Sequence, residues 1–263
     1  MIYIVDQLNR PLKLMEPAKR IVSLVPSISE YLYDLGLEDE VVGITKFCIK
    51  PEKWFRNKTR VGGTKTLSLE KIEQLNPDLI IANKEENTQE QIEFLSKKYP
   101  VFISNIVSIE ETKKCLQDIG KLTGRDEQAA KVLDKITTGI KVTKGIVYNA
   151  SCLYFIWRDP YLTAGSPTFI NTILNHLGFN NLASNFDGRY PELDQNKFAQ
   201  LSPQFILLAS EPFPFSKDHL SEFKSLFPMS KVILVDGEAF SWYGSRLVPS
   251  AKYFKSLSNS LTK

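Results

Sequence analysis

The stretch Arg20-Ile-Val-Ser-Leu-Val-Pro-Ser-Ile-Ser-Glu30 decides the fold, because an apolar run passes directly into a helix start. The first six residues predict a buried strand. Ser27, followed three positions later by Glu30, is the pattern of a capping box and predicts a helix that stops at Gly36. A second apolar strand, Val41-Val-Gly-Ile-Thr45, follows shortly after. Strands and helices that alternate in this way predict a mostly parallel sheet covered by helices.

The same alternation continues along the chain. The pattern predicts helices at residues 69–75, 88–99 and 108–124, and strands at residues 79–82 and 101–103. From Asp126 to about Val147, apolar residues recur at helical spacing without a proline, which predicts one helix of roughly 15–20 residues. The strand candidate Cys152-Leu-Tyr-Phe-Ile-Trp157 then restarts the alternation.

An internal similarity favours two related lobes. Gln74-Leu-Asn-Pro-Asp-Leu-Ile-Ile81 resembles Gln200-Leu-Ser-Pro-Gln-Phe-Ile-Leu207. A short capped helix is predicted before each segment, starting at Ser68 and at Asp194 respectively. Because the two segments lie on either side of the long helix, two similar lobes explain them better than chance. We predict an N-terminal lobe at residues 1–124, a bridging helix at 125–148 and a C-terminal lobe at 149–263.

Composition and charge exclude several classes of function. The chain has 263 residues, of which 43% are hydrophobic and 24% charged, so it can bury a full core. A net charge of +3 without a basic cluster argues against nucleic-acid binding. Cys48, Cys115 and Cys152 are far apart and form no CxxC pair. We expect free thiols, which favour a reducing compartment, with a single disulfide as the alternative.

The N-terminal segment does not have the pattern of a secretory leader. Polar residues interrupt it, so no apolar run of about 7–15 residues forms; they are Asp6, Asn9, Arg10, Lys13 and Glu16. No stretch reaches the roughly 20 apolar residues of a membrane span. We expect either a cytoplasmic protein or one from which a leader has been removed.

Motifs of common enzymes do not occur in the sequence. It contains no GxSxG, GxxxxGK[ST], GxGxxG or HExxH pattern. His176 is expected at a helix end before Gly178, where the helix dipole favours it, and His219 is expected to be a solvated surface residue. No His, Asp and Glu set stands at metal-ligand spacing. We predict no catalytic residues, no intrinsic cofactor and no protein-held metal, with an enzyme on a two-lobe scaffold as one alternative.

Aromatic residues gather where loops should leave the strands. Ligands of open parallel sheets bind outside the carboxyl ends of the strands, where flat rings provide apolar contact. About half of these rings are expected to be core residues instead. Arg246, in Ser241-Trp-Tyr-Gly-Ser-Arg246, is expected either to bind an anionic ligand group or to form a surface salt bridge. The candidate ligand-binding residues are Phe47, Cys48, Trp54, Trp157, Tyr161, Tyr190, Phe213, Trp242, Tyr243 and Arg246.

An ordered set of segments resembles a known family. In chain order, the segments are Arg20–Glu30, Leu35–Leu37, Val41–Ile44, Leu69–Ile72, Pro77–Ala82, Asp159–Gly165, Ile173–Gly178, Asn181–Leu182, Ser210–Phe215 and Ser241–Tyr243. Together they resemble the substrate-binding proteins of ABC importers for vitamin B12, haem and iron-siderophores. The greatest likeness is to the cobalamin-binding branch. The resemblance covers the chain from about Pro17 to Leu257.

The resemblance implies an α/β fold of two Rossmann-like lobes with parallel sheets, joined by a single long rigid helix, with a ligand cleft between the lobes. The ligand would be a metal chelate, namely cobalamin or another corrinoid, haem or a ferric siderophore, so that any metal arrives within the ligand. Cys48 would be an inert small residue in a loop of the cleft or would touch that metal.

The resemblance also implies a partner and a location. In this family one glutamate from each lobe docks on an ABC permease, and Glu70 and Glu211 stand at the matching places. We expect a monomer in the periplasm or at a membrane. A cytoplasmic corrinoid or metal-chelate carrier or sensor on the same fold is the alternative.

Overall fold

The computed structural model describes residues 1–194, 197–198 and 200–261. The chain forms two compact units. The first unit comprises Met1–Thr137 and Tyr243–Arg246, and the second comprises Thr138–Trp242 and Leu247–Lys263. The boundary between Thr137 and Thr138 lies within the bridging helix predicted at residues 125–148.

The first unit contains a short ribbon and a parallel sheet. The ribbon pairs β1 (Ile2–Val5) with β2 (Pro11–Leu14) in antiparallel fashion. The sheet strands are β3 (Ile21–Ser23), β4 (Val41–Ile44), β5 (Thr59–Arg60), β6 (Leu79–Asn83) and β7 (Val101–Ser104), in the spatial order β5-β4-β3-β6-β7. The helices are α1 (Pro26–Asp34), α2 (Glu52–Asn57), α3 (Leu69–Leu75), α4 (Gln89–Ser96) and α5 (Ile109–Thr123).

The predicted strands form because their apolar runs are buried on both faces. All five residues of β6 are buried, as expected for a central parallel strand covered by helices. The capping prediction for α1 is wrong. That helix begins at Pro26, with Val25 at the N-cap and no side-chain cap, because proline fits the first helical turn. The prediction for α5 is confirmed: Ser108 Oγ accepts the backbone N–H of Glu111 at 3.1 Å.

The long helix α6 spans Asp126–Thr143, so it ends four residues before the predicted Val147. Its first part belongs to the first unit and its last part to the second unit. Gly120 of α5 allows a close approach of the two helices, since a Cβ at that position would lie 2.6 Å from the Cβ of Ala129.

The second unit repeats the arrangement of a sheet covered by helices. Its strands are β8 (Ala150–Trp157), β9 (Leu162–Thr163), β10 (Phe179–Asn181), β11 (Phe205–Ala209) and β12 (Lys231–Val235). Strands β10-β8-β11-β12 are parallel in that order, and β9 pairs antiparallel with β8. The helices are α7 (Phe169–Leu177), α8 (Leu220–Leu226), α9 (Gly237–Ser241) and α10 (Leu247–Leu261).

The two similar sequence segments occupy equivalent places in the two sheets. The first leads into β6, which lies between β3 and β7, and the second leads into β11, which lies between β8 and β12. The order β4-β3-β6-β7 thus has the same connectivity as β10-β8-β11-β12. The helix predicted from Asp194 includes residues 195, 196 and 199, which lie outside the described residues.

Candidate functional site

Phe47 lies at the carboxyl end of the first unit's sheet, in the turn that follows β4. Its side chain is 51% exposed. The ammonium nitrogen of Lys46 lies 5.1 Å from the ring centroid, which is a cation–π distance. This turn therefore presents an aromatic face and a positive charge at the edge of the sheet where ligands of such folds bind.

Cys48 and Trp54 are buried in the packing of the first unit. The sulfur of Cys48 lies 3.1 Å from Ser29 Oγ and 3.2 Å from Thr45 Oγ1. Burial raises the pKa of this thiol to about 11, so it is protonated at neutral pH. The indole Nε1 of Trp54 donates a hydrogen bond to Glu38 at 3.0 Å. In this structure neither side chain offers a surface to a ligand.

Tyr243 lies late in the sequence but packs into the first unit. Its hydroxyl oxygen accepts a hydrogen bond from Asn83 Nδ2 at 2.9 Å and lies 3.4 Å from Ser104 Oγ. Burial raises the pKa of Tyr243 far above its ordinary value. Gly244 then adopts φ 103°, a conformation that glycine favours, with its Cβ position 3.3 Å from the carbonyl of Ser27.

Arg246 forms a partly buried ion pair in the first unit. Its Nε and Nη2 atoms donate to the two carboxylate oxygens of Glu30 at 2.9 and 2.5 Å. Burial raises the pKa of Glu30, and the guanidinium of Arg246 opposes that shift. The sequence left open whether Arg246 binds a ligand or forms a salt bridge, and the structure shows an ion pair.

An aromatic row, composed of Trp157, Phe213 and His219, lies at the carboxyl end of the second unit's sheet. Trp157 ends β8 and is 40% exposed. Its ring centroid lies 5.8 Å from that of Phe213, which in turn lies 5.3 Å from that of His219. The backbone N–H of Phe213 donates to the carbonyl of Ile156 at 3.2 Å, which ties the loop after β11 to β8.

His219 is half-buried in this row and not the solvated residue that the sequence suggested. It closes a capping box with Ser216, whose backbone N–H donates to His219 Nδ1 at 3.0 Å. The pattern of a serine three residues before the histidine could have indicated this, although Glu or Gln usually occupies the later position.

Tyr161 belongs to the aromatic core of the second unit. Its ring lies 5.4 Å from Phe198 and 5.6 Å from Phe223 between centroids. Its hydroxyl donates to the carboxylate of Glu222, which also accepts from Arg158 Nε at 2.9 Å. Burial, followed by the hydrogen bond to Glu222 and the charge of that carboxylate, raises the pKa of Tyr161 to about 12. The ring contacts of Tyr161 are therefore with core phenylalanines and not with the aromatic row.

Tyr190 and Trp242 differ in their accessibility. Tyr190 is 38% exposed, in the segment that follows β10. Trp242 is buried, and its backbone N–H donates to the backbone carbonyl of Glu238 in α9. The five-residue helix α9 lies between β12 and Trp242, so this tryptophan does not directly follow a strand.

Glu70 and Glu211 also differ in their surroundings. Glu70 is exposed in the first turn of α3, where its carboxylate accepts from Gln74 at 3.3 Å. Glu211 is half-buried and accepts from Ser241 Oγ at 2.7 Å. Burial raises the pKa of Glu211, and Glu238 and Asp236 add to the shift. Glu70 is therefore the more accessible carboxylate of this pair.

Cys48, Cys115 and Cys152 are free and buried, in agreement with the sequence prediction of free thiols. Within the described residues, no group of three or more His, Cys, Asp or Glu side chains is placed to hold a metal ion. In the same part of the chain, no helix has the length and apolar character needed to cross a membrane.

Comparison with known proteins gives consistent matches. The sequence signature of the family described as "Periplasmic binding protein" matches residues 21–228. The uncharacterised ABC transporter substrate-binding lipoprotein YvrC of Bacillus subtilis is 26% identical over 213 residues, covering 77% of this chain and 67% of YvrC. The vitamin B12-binding protein of Vibrio parahaemolyticus is 22% identical over 195 residues, covering 73% and 70% of the two chains.

A structural match extends the comparison to nearly the whole chain. The periplasmic haem-binding protein RhuT of Roseiflexus sp. RS-1 superposes with a TM-score of 0.81 at 18% identity, covering 94% of this chain and 100% of RhuT. At this identity the likeness shows the fold, and the predicted α/β architecture is confirmed.

Proposed function

Because the chain belongs to the periplasmic binding protein family, we propose that it is the substrate-binding protein of an ABC importer and captures a metal-chelate ligand. The family is one of transport proteins, so the chain is a binding protein and not an enzyme. The proposed ligand is a corrinoid, haem or a ferric siderophore, bound one-to-one by a monomer. The metal would arrive inside the ligand.

The observation that carries this proposal is the exposure of aromatic rings at the carboxyl ends of the sheet strands. Phe47, in the turn after β4, is 51% exposed, and Trp157, at the end of β8, is 40% exposed. Tyr190, further along the segment that follows β10, is 38% exposed. Exposed rings in these loops suit a flat ligand with large apolar faces, because ring contact buries area with few rotamers lost. Vitamin B12 and haem, which two of the similar proteins bind by name, each hold a metal ion in a roughly flat macrocycle.

Equilibrium titration tests the proposal. The purified full chain is titrated with haemin, cyanocobalamin and ferrioxamine B, followed by tryptophan fluorescence and calorimetry. Saturable one-to-one binding of one ligand below about 1 μM, roughly 8 kcal/mol, is expected. Failure of all three to saturate up to 100 μM would contradict the proposal.

Delivery to a permease is the second part of the proposal. We propose that Glu70 and Glu211 dock on basic pockets of the permease, with Glu70 the stronger contributor because it is exposed while Glu211 is already bonded to Ser241. Glu70→Gln should lower uptake at least fivefold in a reconstituted importer without changing ligand affinity. Glu90→Gln, which removes an exposed first-turn carboxylate of α4, is the matched control. Equal uptake by all variants would exclude this docking role.

A location outside the cytoplasm belongs to the same proposal. The similarity to YvrC, named a lipoprotein, supports it. The three free thiols favour the alternative, a cytoplasmic carrier or sensor on the same fold. Fractionation of cells that express the natural gene with a C-terminal tag distinguishes the two: the proposal expects the protein in the periplasmic or membrane fraction, and a cytosolic protein would support the alternative.

A further inference from the structure

The tautomer of His219 is fixed by the capping box that surrounds it. The backbone N–H of Ser216 donates to Nδ1 at 3.0 Å, and Ser216 Oγ lies 3.2 Å from the same nitrogen. A backbone N–H can donate only to a ring nitrogen that carries a lone pair. In the neutral imidazole the proton therefore resides on Nε2.

The Nε2–H group of His219 is open to solvent. Among the described residues it has no hydrogen-bond partner, since the hydrogen bonds of this side chain are made by Nδ1. Nε2 is also not one of the buried polar atoms without a hydrogen-bond partner, so it is in contact with solvent. A half-buried ring with its remaining polar group in solvent is thus held at the end of the aromatic row, 5.3 Å from Phe213.

This geometry disfavours coordination of a metal by His219. Coordination through Nε2 needs the lone pair of that nitrogen, and a metal-bound imidazole normally donates a hydrogen bond from its other nitrogen. Here the other nitrogen accepts the backbone N–H of Ser216. Moving the proton to Nδ1 would break the cap that begins the short 3-10 helix Lys217–His219.

We infer that His219 is a specificity-determining hydrogen-bond donor, whose Nε2–H binds an oxygen acceptor at the edge of a flat ligand that lies on Trp157 and Phe213. This inference rests on the proposed function and adds the chemical class of the recognised group, which is a carboxylate or amide oxygen. The aromatic row supplies the apolar contact, and the histidine at its end supplies orientation.

The test compares three variants of the full chain against the wild type. Each is titrated with whichever of haemin, cyanocobalamin and ferrioxamine B the wild type binds. His219→Ala should weaken binding about tenfold, roughly 1.4 kcal/mol. His219→Gln should restore most of the affinity, because an amide N–H can donate in its place. Lys217→Ala, which removes an exposed cation from the same turn, should leave the affinity unchanged.

The visible spectrum of bound haemin or cobalamin separates hydrogen bonding from metal coordination. The spectra of the wild type and His219→Ala complexes should be superimposable. A change of the metal bands on removal of the imidazole would overturn the inference in favour of coordination, and an unchanged affinity of a folded His219→Ala variant would overturn it outright. If the wild type binds none of the three ligands, the proposed function itself fails and the inference with it.

Discussion

Replacement of Arg246 by Met should destabilise the first unit, because the guanidinium is the counterion of a partly buried carboxylate. Arg246 donates two hydrogen bonds to Glu30, and the two side chains are only 16% and 18% exposed. Burial raises the pKa of Glu30, which indicates that the carboxylate is poorly hydrated and depends on this partner. Methionine keeps the apolar stem and removes the charge.

The expected loss lies between two known limits. Removal of one partner from a fully buried ion pair costs about 3–5 kcal/mol, whereas an exposed pair contributes about 0–1 kcal/mol. Because both side chains keep some exposure, Glu30 can regain part of its hydration, and we expect a loss of about 2 kcal/mol. In a chain of this size each kcal/mol lowers the melting temperature by about 2–4 °C, so the transition of the first unit should fall by about 4–8 °C.

A double-mutant cycle measures the pair directly. The wild type, Arg246→Met, Glu30→Gln and the double variant are unfolded in urea and followed by circular dichroism. A coupling energy of about 1–2 kcal/mol is expected, because the second substitution removes the charge that the first leaves unpaired. Additive losses, or a loss below about 0.5 kcal/mol for Arg246→Met, would refute the reasoning.

Three further predictions concern other positions. Gly178→Ala should lower the free energy of unfolding, measured by urea titration, by about 3 kcal/mol or more, because the new Cβ would lie 1.9 Å from the carbonyl oxygen of Val147. The control is Gly36→Ala, which also has a positive φ but has open space around the Cβ position, and it should cost about 1–2 kcal/mol. Burial raises the folded-state pKa of Glu211, so its contribution to stability is present below its ordinary pKa and declines as pH rises; melting curves should show Glu211→Gln gaining stability relative to the wild type from pH 4 to pH 7, and a constant difference would contradict this. The Cys48 thiol should resist a disulfide reagent in the native chain at pH 8 and react after unfolding in urea, since it is buried with a pKa near 11; rapid native reaction would show that its loop opens.

The sequence predicted the sheets well because their strands are buried on both faces. Such strands appear as continuous apolar runs, and β6 and β8 were located within two residues of their observed ends. Helix ends marked by glycine were predicted equally well. At the end of α5, for example, Gly124 adopts a φ of 64°. The start of α1 was misplaced because Pro26 and Ser27 both favour a helix start, and only the backbone shows which position each one occupies.

The candidate site was harder to predict, because exposure of an aromatic ring depends on packing partners far away in sequence. Trp54 lies in α2 after the loop that follows β4, and Trp157 ends β8, yet Trp54 is buried and Trp157 is exposed. The burial of Tyr243 in the first unit could not be predicted either, since its hydrogen bond to Asn83 joins residues 160 positions apart. His219 was missed because its ring contacts come from a loop whose path is fixed by the hydrogen bond between Phe213 and Ile156.

The most direct test of the account is the affinity of Trp157→Ala for the chelate that the wild type binds, measured by calorimetry beside Phe94→Ala. Phe94 is exposed to the same degree, 39% against 40%, but lies on α4 away from the carboxyl-end loops. Removal of the indole face should weaken binding about tenfold, roughly 1.4 kcal/mol, while Phe94→Ala binds as the wild type does. Equal affinities for the two variants would contradict the claim that the aromatic row holds the ligand.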